Sequence, residues 1–325
     1  MLFRSFHAPI LTAAGFEIDS VLTRNPNRIS ELHSDFPSAR AVGDISELLK
    51  SNIDLVVVAT ANNVHAEQAI AALEAKIPVV VDKPMGRNLS ETKQILAAAT
   101  KNKTAATVYF NRLFDSDALT VKKVISDNVI GKVFRMESRF ERFRPDLSAS
   151  SWRENWSRDD GGGDLLDLQP HLLSTAIDWF GPAELVNASV RSIRGGSDDD
   201  VVLTLKHKSG VDSYLSASGI IGAPGPRLRI SGSGGALVIN DLDPQEKMLR
   251  SGQKPTIDGW PKGARSSAMI FSRENPREIQ CESGNYVSFY KQVKEGLKTG
   301  VMPVSHDLIL QVATIIDQAK EISIR

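Results

Sequence analysis

The run Ile77 to Pro84, IPVVVDKP, constrains the fold more than any other stretch of the chain. Its unbroken apolar residues suit a parallel strand covered on both faces, and the run then ends abruptly on an acid, a lysine and a proline. In open α/β sheets the carboxyl ends of such strands are where ligands bind, so Lys83 is the first candidate for chemistry.

Strand-like and helix-like segments alternate around that run. Phe16 to Thr23, Ile53 to Thr60, Ile77 to Val81 and Ala105 to Phe110 read as strands. Ala66 to Lys76 and Ser90 to Lys101 are rich in helix formers, with Ser90 as an N-cap. This alternation predicts a doubly wound parallel sheet.

After Gly131 longer alternating strands take over: Lys132 to Phe143, Leu185 to Ile193, Val201 to His207, Ser213 to Gly219, Arg227 to Ser231 and Ala236 to Ile239. Turns such as HKSG at 207 to 210 suit an open-faced antiparallel sheet with helices on one side. Residues 240 to 280 show little periodicity and read as a long irregular excursion, followed by helices near 286 to 298 and 305 to 322. The fold class is therefore α/β plus α+β, with domains at 1 to 118 and 119 to 325. Leu308, Ile309, Val312, Ile315, Ile316 and Ala319 give the last helix an apolar stripe for packing back on the N-terminal domain.

A length of 325 residues supports two cores. Basic and acidic residues balance at 39 each, so no net field favours nucleic acid or an anionic membrane. Cys281 is the only cysteine, which leaves no internal disulfide and fits a reducing compartment. No apolar run approaches the roughly 20 residues of a membrane span, and the start MLFRSFHAPI lacks the apolar core of a secretory signal. The expectation is a cytoplasmic protein.

A second constellation is DLLDLQPHLLSTAIDWF, Asp164 to Phe180, after a triple glycine at 161 to 163. If the helix is continuous from Asp167, then Asp167, His171, Ser174 and Asp178 share one face. The simple interpretation is a solvated face with an Asp–His pair worth a few tenths of a kcal/mol. A metal site is a weaker rival, because no Cys, second paired His or Glu-rich motif completes a ligand set. Taken with Lys83, the stripe suggests more. A histidine can exchange the proton of a hydroxyl, a carboxylate can hold a neighbouring hydroxyl, and a lysine can polarise the oxygen. Alcohol–ketone interconversion needs those groups and a hydride acceptor, which implies a nicotinamide cofactor.

The chain resembles the glucose-fructose oxidoreductase, inositol dehydrogenase and MocA family. The matching runs are FHAP at 6 to 9, VVVATANNVH at 56 to 65, VVVDKP at 79 to 84, FNRLFDSD at 110 to 117, SRFERFRP at 138 to 145, SWRENW at 151 to 156, GGGDLLDLQPH at 161 to 171 and GNYVSFYKQV at 284 to 293. Within the family it is most similar to the NADP-linked scyllo-inositol dehydrogenase-like branch. The resemblance implies a Rossmann domain for NAD(P), an open-faced second domain for a polyol or sugar, and a homodimer or homotetramer. It places the catalytic lysine on Lys83, the substrate-binding aspartate on Asp167 and the proton-transferring histidine on His171. For the cofactor it implies Thr23, Arg24, Ala59, Thr60, Asn62, His65, Asp82, Lys83 and Asn111. The second strand ends Leu22, Thr23, Arg24, Asn25, with no acid for a ribose 2′-hydroxyl and an arginine able to pair with a 2′-phosphate, which favours NADP.

The chain also departs from the family pattern. Family members open with a strand and a glycine-rich turn, and here the sequence begins immediately before FHAP. The absent strand is central in the usual order, so three outcomes are open. The neighbours pair with each other, another segment or chain fills the slot, or the sequence starts downstream of the true start. Gln169, Ser174 and Ala61 also differ from the usual residues, on the substrate side. A catalytically degenerate member that senses a sugar or serves in an interaction is the alternative expectation. Arg139, Arg142 and Arg144 alternate with Glu137 and Glu141 and read as solvated cross-strand pairs, with Arg142 and Arg144 as lesser candidates for the substrate cleft.

Overall fold

In the computed structural model, which describes residues 3–260, 263–273 and 275–323, helix and strand alternate through the N-terminal part. A π-helical turn, Phe3–His7, runs into α1 (Ala8–Ala13). Next come β1 (Ser20–Leu22), α2 (Pro26–Asp35), β2 (Arg40–Val42), α3 (Ile45–Leu49), β3 (Val56–Val58) and α4 (His65–Glu74). β4 (Val79–Asp82), α5 (Leu89–Asn102), β5 (Ala106–Tyr109) and α6 (Ser116–Ser126) complete this part. Every strand pair here is parallel. Val79, Val80 and Val81 are all fully buried, as an unbroken apolar run in a covered sheet requires.

The expected first strand, Phe16 to Thr23, is confined to Ser20–Leu22, the three residues that find partners in β2. Sequence periodicity had passed over α2, β2 and α3, which are short and semi-exposed. The cap of α5 is Asn88, not Ser90: Asn88 Oδ1 accepts from Glu91 N at 2.8 Å. The parallel sheet is in two pieces, β1–β2 and β3–β4–β5. Among the described residues β1 and β3 have not closed up on each other, and no other strand pairs with their free edges.

The second part opens with β6 (Val133–Glu141), α7 (Trp152–Asn155), α8 (Asp164–Asp167) and α9 (Gln169–Phe180). Then come β7 (Ala183–Arg191), β8 (Asp200–His207), β9 (Asp212–Ser218), β10 (Leu228–Gly232), β11 (Gly235–Ile239) and α10 (Gln245–Arg250). β12 (Ser267–Phe271), β13 (Arg277–Gln280), α11 (Val287–Thr299) and α12 (His306–Ser323) close the chain. One eight-stranded sheet runs β13-β12-β11-β10-β6-β9-β8-β7. Its strands pair antiparallel, as expected of the open-faced sheet, except at one place, where β6 and β9 run parallel. The stretch 240 to 280 is not one irregular excursion, because α10 lies within it and β12 and β13 extend the sheet.

The apolar stripe of α12 packs on α5, β7 and α9, tying both parts of the chain together. Ile309, Val312, Ile315, Ile316 and Ala319 are buried there.

Candidate active site

β4 delivers Asp82 and Lys83 to the carboxyl end of the parallel sheet. Asp82 Oδ1 accepts from Lys83 N at 2.8 Å, and His7 Nε2 lies 3.9 Å from Asp82 Oδ2. Lys83 Nζ donates to Asp167 Oδ1 at 2.7 Å and also to the Asp167 main-chain oxygen. Arg153 Nε donates to the same Oδ1 at 3.0 Å. Burial pushes the Asp167 carboxyl up, but the Lys83 and Arg153 charges outweigh it and hold the group well below the usual carboxylate range.

Asp167 and His171 do not share one continuous helix. Within an uninterrupted helix Pro170 could not donate to the Leu166 carbonyl and its ring would strike that turn. The chain therefore ends α8 at Asp167 and restarts α9 at Gln169, with Pro170 in the first turn where the missing N–H costs nothing. The triple glycine prepares this corner. Gly163 has φ +92, and a Cβ there would meet Asp198 Oδ2 at 2.2 Å. That close approach lets Asp198 Oδ1 accept from Leu165 N at 2.7 Å and fix the start of α8.

The simple interpretation of a solvated stripe fails for most of its members. His171 and Ser174 are buried, and only Asp178 is exposed, where it pairs with Lys122 at 2.7 Å. The His171 ring packs edge-on against Phe140, with centroids 5.9 Å apart. Burial, then the Lys83 and Arg112 charges, push His171 well below the ordinary imidazole range, so it is neutral. Its Nδ1 is buried with no hydrogen-bond partner among the described residues.

Lys83, Asp167 and His171 line one cavity of about 1020 Å³, together with Asp82 and Asn111. Of the other residues implied for a cofactor, Thr23, Arg24, Ala59, Thr60, Asn62 and His65 lie outside its lining. Arg24 Nε donates to Gly43 O at 2.6 Å, and Thr23 Oγ1 accepts from Asn25 N at 3.3 Å. Thr60 Oγ1 donates to Gln68 Oε1 at 2.9 Å, and Ala59 is half-buried beside it. Asn62 is buried and donates to Gly161 O at 2.8 Å. His65 is buried, with Nδ1 2.8 Å from Pro84 O and Nε2 3.2 Å from Thr60 O. It braces the turn after Lys83 against the end of β3.

Three cavity residues carried no assigned role in the sequence. Arg153 anchors Asp167, Arg112 lies buried between Asp115 and Glu246, and Asp164 Oδ2 is buried with no hydrogen-bond partner among the described residues. Arg142 and Arg144 also line the cavity and make no charge pair among the described residues, whereas Arg139 pairs within its own strand with Glu137 at 2.6 Å and Glu141 at 3.9 Å, and Glu137 also pairs across strands with Arg229 at 3.6 Å. The alternation along β6 was the available signal, since Ser138 and Phe140 share the parity of Arg142 and Arg144.

A family model described as "Oxidoreductase family, NAD-binding Rossmann fold" matches residues 1–110, and one for the "GFO/IDH/MocA C-terminal domain" matches residues 118–238. The chain is 30% identical to scyllo-inositol 2-dehydrogenase (NADP(+)) IolW of Bacillus subtilis, over 98% of this chain and 90% of that protein. It is 31% identical to the oxidoreductase YdgJ of Escherichia coli K12, over 97% and 91% respectively. The solved structure of yvaA from Bacillus subtilis superposes with a TM-score of 0.87 at 28% identity, covering 99% of this chain and 93% of that one.

Proposed function

The chain belongs to the Gfo/Idh/MocA oxidoreductase family, and from that premise we propose that it interconverts an alcohol and a ketone on a cyclic polyol or sugar, using NADP. The observation that carries this reading is the convergence of Lys83, Asp167 and a neutral His171 in one cavity. A nicotinamide, when bound, supplies the hydride acceptor that no side chain can.

The residues present fit that group at two ends. At one, His171 has a buried nitrogen with no hydrogen-bond partner among the described residues, and Lys83 and Asn111 line the same space. At the other, Arg24 is fixed through Nε to Gly43 O, which leaves its terminal nitrogens for a 2′-phosphate. Thr23, Ala59, Thr60 and Asn62 would flank the cofactor between these ends.

In this reading Lys83 polarises the substrate oxygen, and its ammonium is aimed by Asp167. Asp167, doubly held by Lys83 and Arg153, stays ionised and accepts from an adjacent hydroxyl. His171 is uncharged at neutral pH and takes the hydroxyl proton.

A fluorescence or calorimetric titration of the full chain with NADPH tests the reading. Saturable binding is expected, and no binding at millimolar cofactor overturns it. A second reading, a member without turnover that recognises a sugar, draws on the separation of β1–β2 from β3–β4–β5. Oxidation of any inositol or hexose with NADP, lost on Lys83→Ala, would exclude it.

A further inference from the structure

One group of charges in the active-site cavity is left unused by the oxidoreductase reading. Beyond Glu141 the chain stays extended, with Arg142 N donating to Ser218 O at 3.0 Å and Arg144 N to Gly219 O at 2.8 Å. The regular ladder to β9 ends at Glu141, and an isolated bridge from Phe143 to Ile220 carries the chain on with Arg142 and Arg144 turned to the same cavity as Phe140. Ser138 is buried, and Phe140, Arg142 and Arg144 line the cavity with Lys83, Asp167 and His171.

Several of the cavity's other cations are engaged inside the protein. Lys83 and Arg153 share Asp167, Arg194 is bound by Asp199 at 2.8 Å, and Arg112 lies between Asp115 and Glu246. Arg142 and Arg144 are exposed and make no side-chain hydrogen bond or ion pair among the described residues. Among the acids at this end, Glu154 accepts from Ser148 N at 2.7 Å and lies 3.9 Å from Arg194, which leaves Asp164 to offset them. Burial and the Asp167 charge push it up to about 7, assisted by Asp198 and opposed by Arg142 and Arg194. Near neutral pH Asp164 therefore offsets only part of the charge of Arg142 and Arg144, whose Cα atoms lie about 7 Å apart along the strand.

We propose that Arg142 and Arg144 bind an oxyanion carried by the substrate, so that the substrate is an acidic sugar or polyol, bearing a carboxylate or a phosphate, and not a neutral one. Two guanidiniums turned to one cavity offer the forked donors that such groups accept. The inference rests on the reading of Lys83, Asp167 and His171 as the reacting site, because it puts the anion on the molecule whose hydroxyl meets Lys83.

Calorimetric titration of the full chain with glucose, glucuronate and glucose 6-phosphate, with and without NADPH, tests it. At least one acid should bind about tenfold or more tightly than glucose, and added salt should weaken it. Whether glucuronate or the phosphate leads identifies the anion. Arg142→Gln and Arg144→Gln should each reduce the preference, and together abolish it. Arg139→Gln, on the opposite face, should preserve it. Both arginines are exposed, so these variants should fold, and each unfolding midpoint checks that they do. Equal binding of all three sugars, failure of both acids to bind at millimolar concentration, or a preference that survives the double variant overturns the inference. Arginine-dependent binding without NADP reduction would sink the dehydrogenase reading and leave the anion site standing. NADP-linked oxidation that favours glucose would do the reverse.

Discussion

Two cations converge on one oxygen of Asp167, and beside them sits an imidazole whose Nδ1 has no hydrogen-bond partner among the described residues. The pH behaviour of the two groups follows from their signs. His171 is pushed well below 6.5 in the folded chain, so the unfolded state binds more protons beneath that value. Its contribution to stability is present above pH 6.5 and is lost as pH falls through it. The unfolding midpoint should therefore drop as pH falls below 6.5 toward the lowered folded value, and His171→Gln should flatten that slope in a calorimetric series. Asp164 has the opposite sign. Raised from 3.8 to about 7, it holds its proton better folded than unfolded, so its contribution declines as pH rises through that window. Asp164→Asn should stabilise the chain at pH 8, by on the order of 1 kcal/mol or more, and do little at pH 4. Lys83, Asp167 and His171 were legible because their residue types sit at strand and helix ends that a sequence marks. The orphaned atoms of Asp164 and His171 were not, since burial is a property of the packed chain.

Among the elements, the junction of α8 and α9 shows a local rule that helical spacing alone conceals. Spacing places Asp167 and His171 on one stripe, and Pro170 breaks the helix between them. The closing of α11 onto the turn at Asn111–Phe114 is similarly invisible in sequence. There, Tyr286 Oη donates to Asp115 Oδ1 at 2.6 Å and accepts from Arg112 Nη1 at 3.1 Å, fully inside the protein. Tyr286→Phe leaves both partners buried with one bond fewer and should cost about 1 to 3 kcal/mol in urea unfolding, with an unchanged m-value. On α12, Ile316→Ala should cost about 2 to 5 kcal/mol, because its stripe is what holds α5 against the second sheet. That stripe was readable from its 3.6-residue period. β12 and β13 were not readable: they are short outer strands of the sheet whose pairing, not their alternation, defines them.

For the whole molecule, the parallel sheet and the eight-stranded sheet were both foreseeable from the switch of pattern after Gly131. The cavity that takes Lys83 from one part and Asp167, His171, Arg142 and Arg144 from the other was foreseeable only in outline. Chain order does not say which strand ends meet, and Arg142 and Arg144 are turned inward beyond the end of the β6 ladder, where an isolated bridge from Phe143 to Ile220 takes over. No helix among the described residues is long and apolar enough to cross a membrane. The most direct test of the account is the initial rate of NADPH formation by the full chain, with NADP and a panel of neutral and acidic cyclic polyols and sugars, beside the Lys83→Ala variant. The account predicts turnover of at least one substrate, reduced about 10²- to 10⁴-fold by the substitution. No NADPH with any substrate, or a variant as fast as the natural chain, would contradict it.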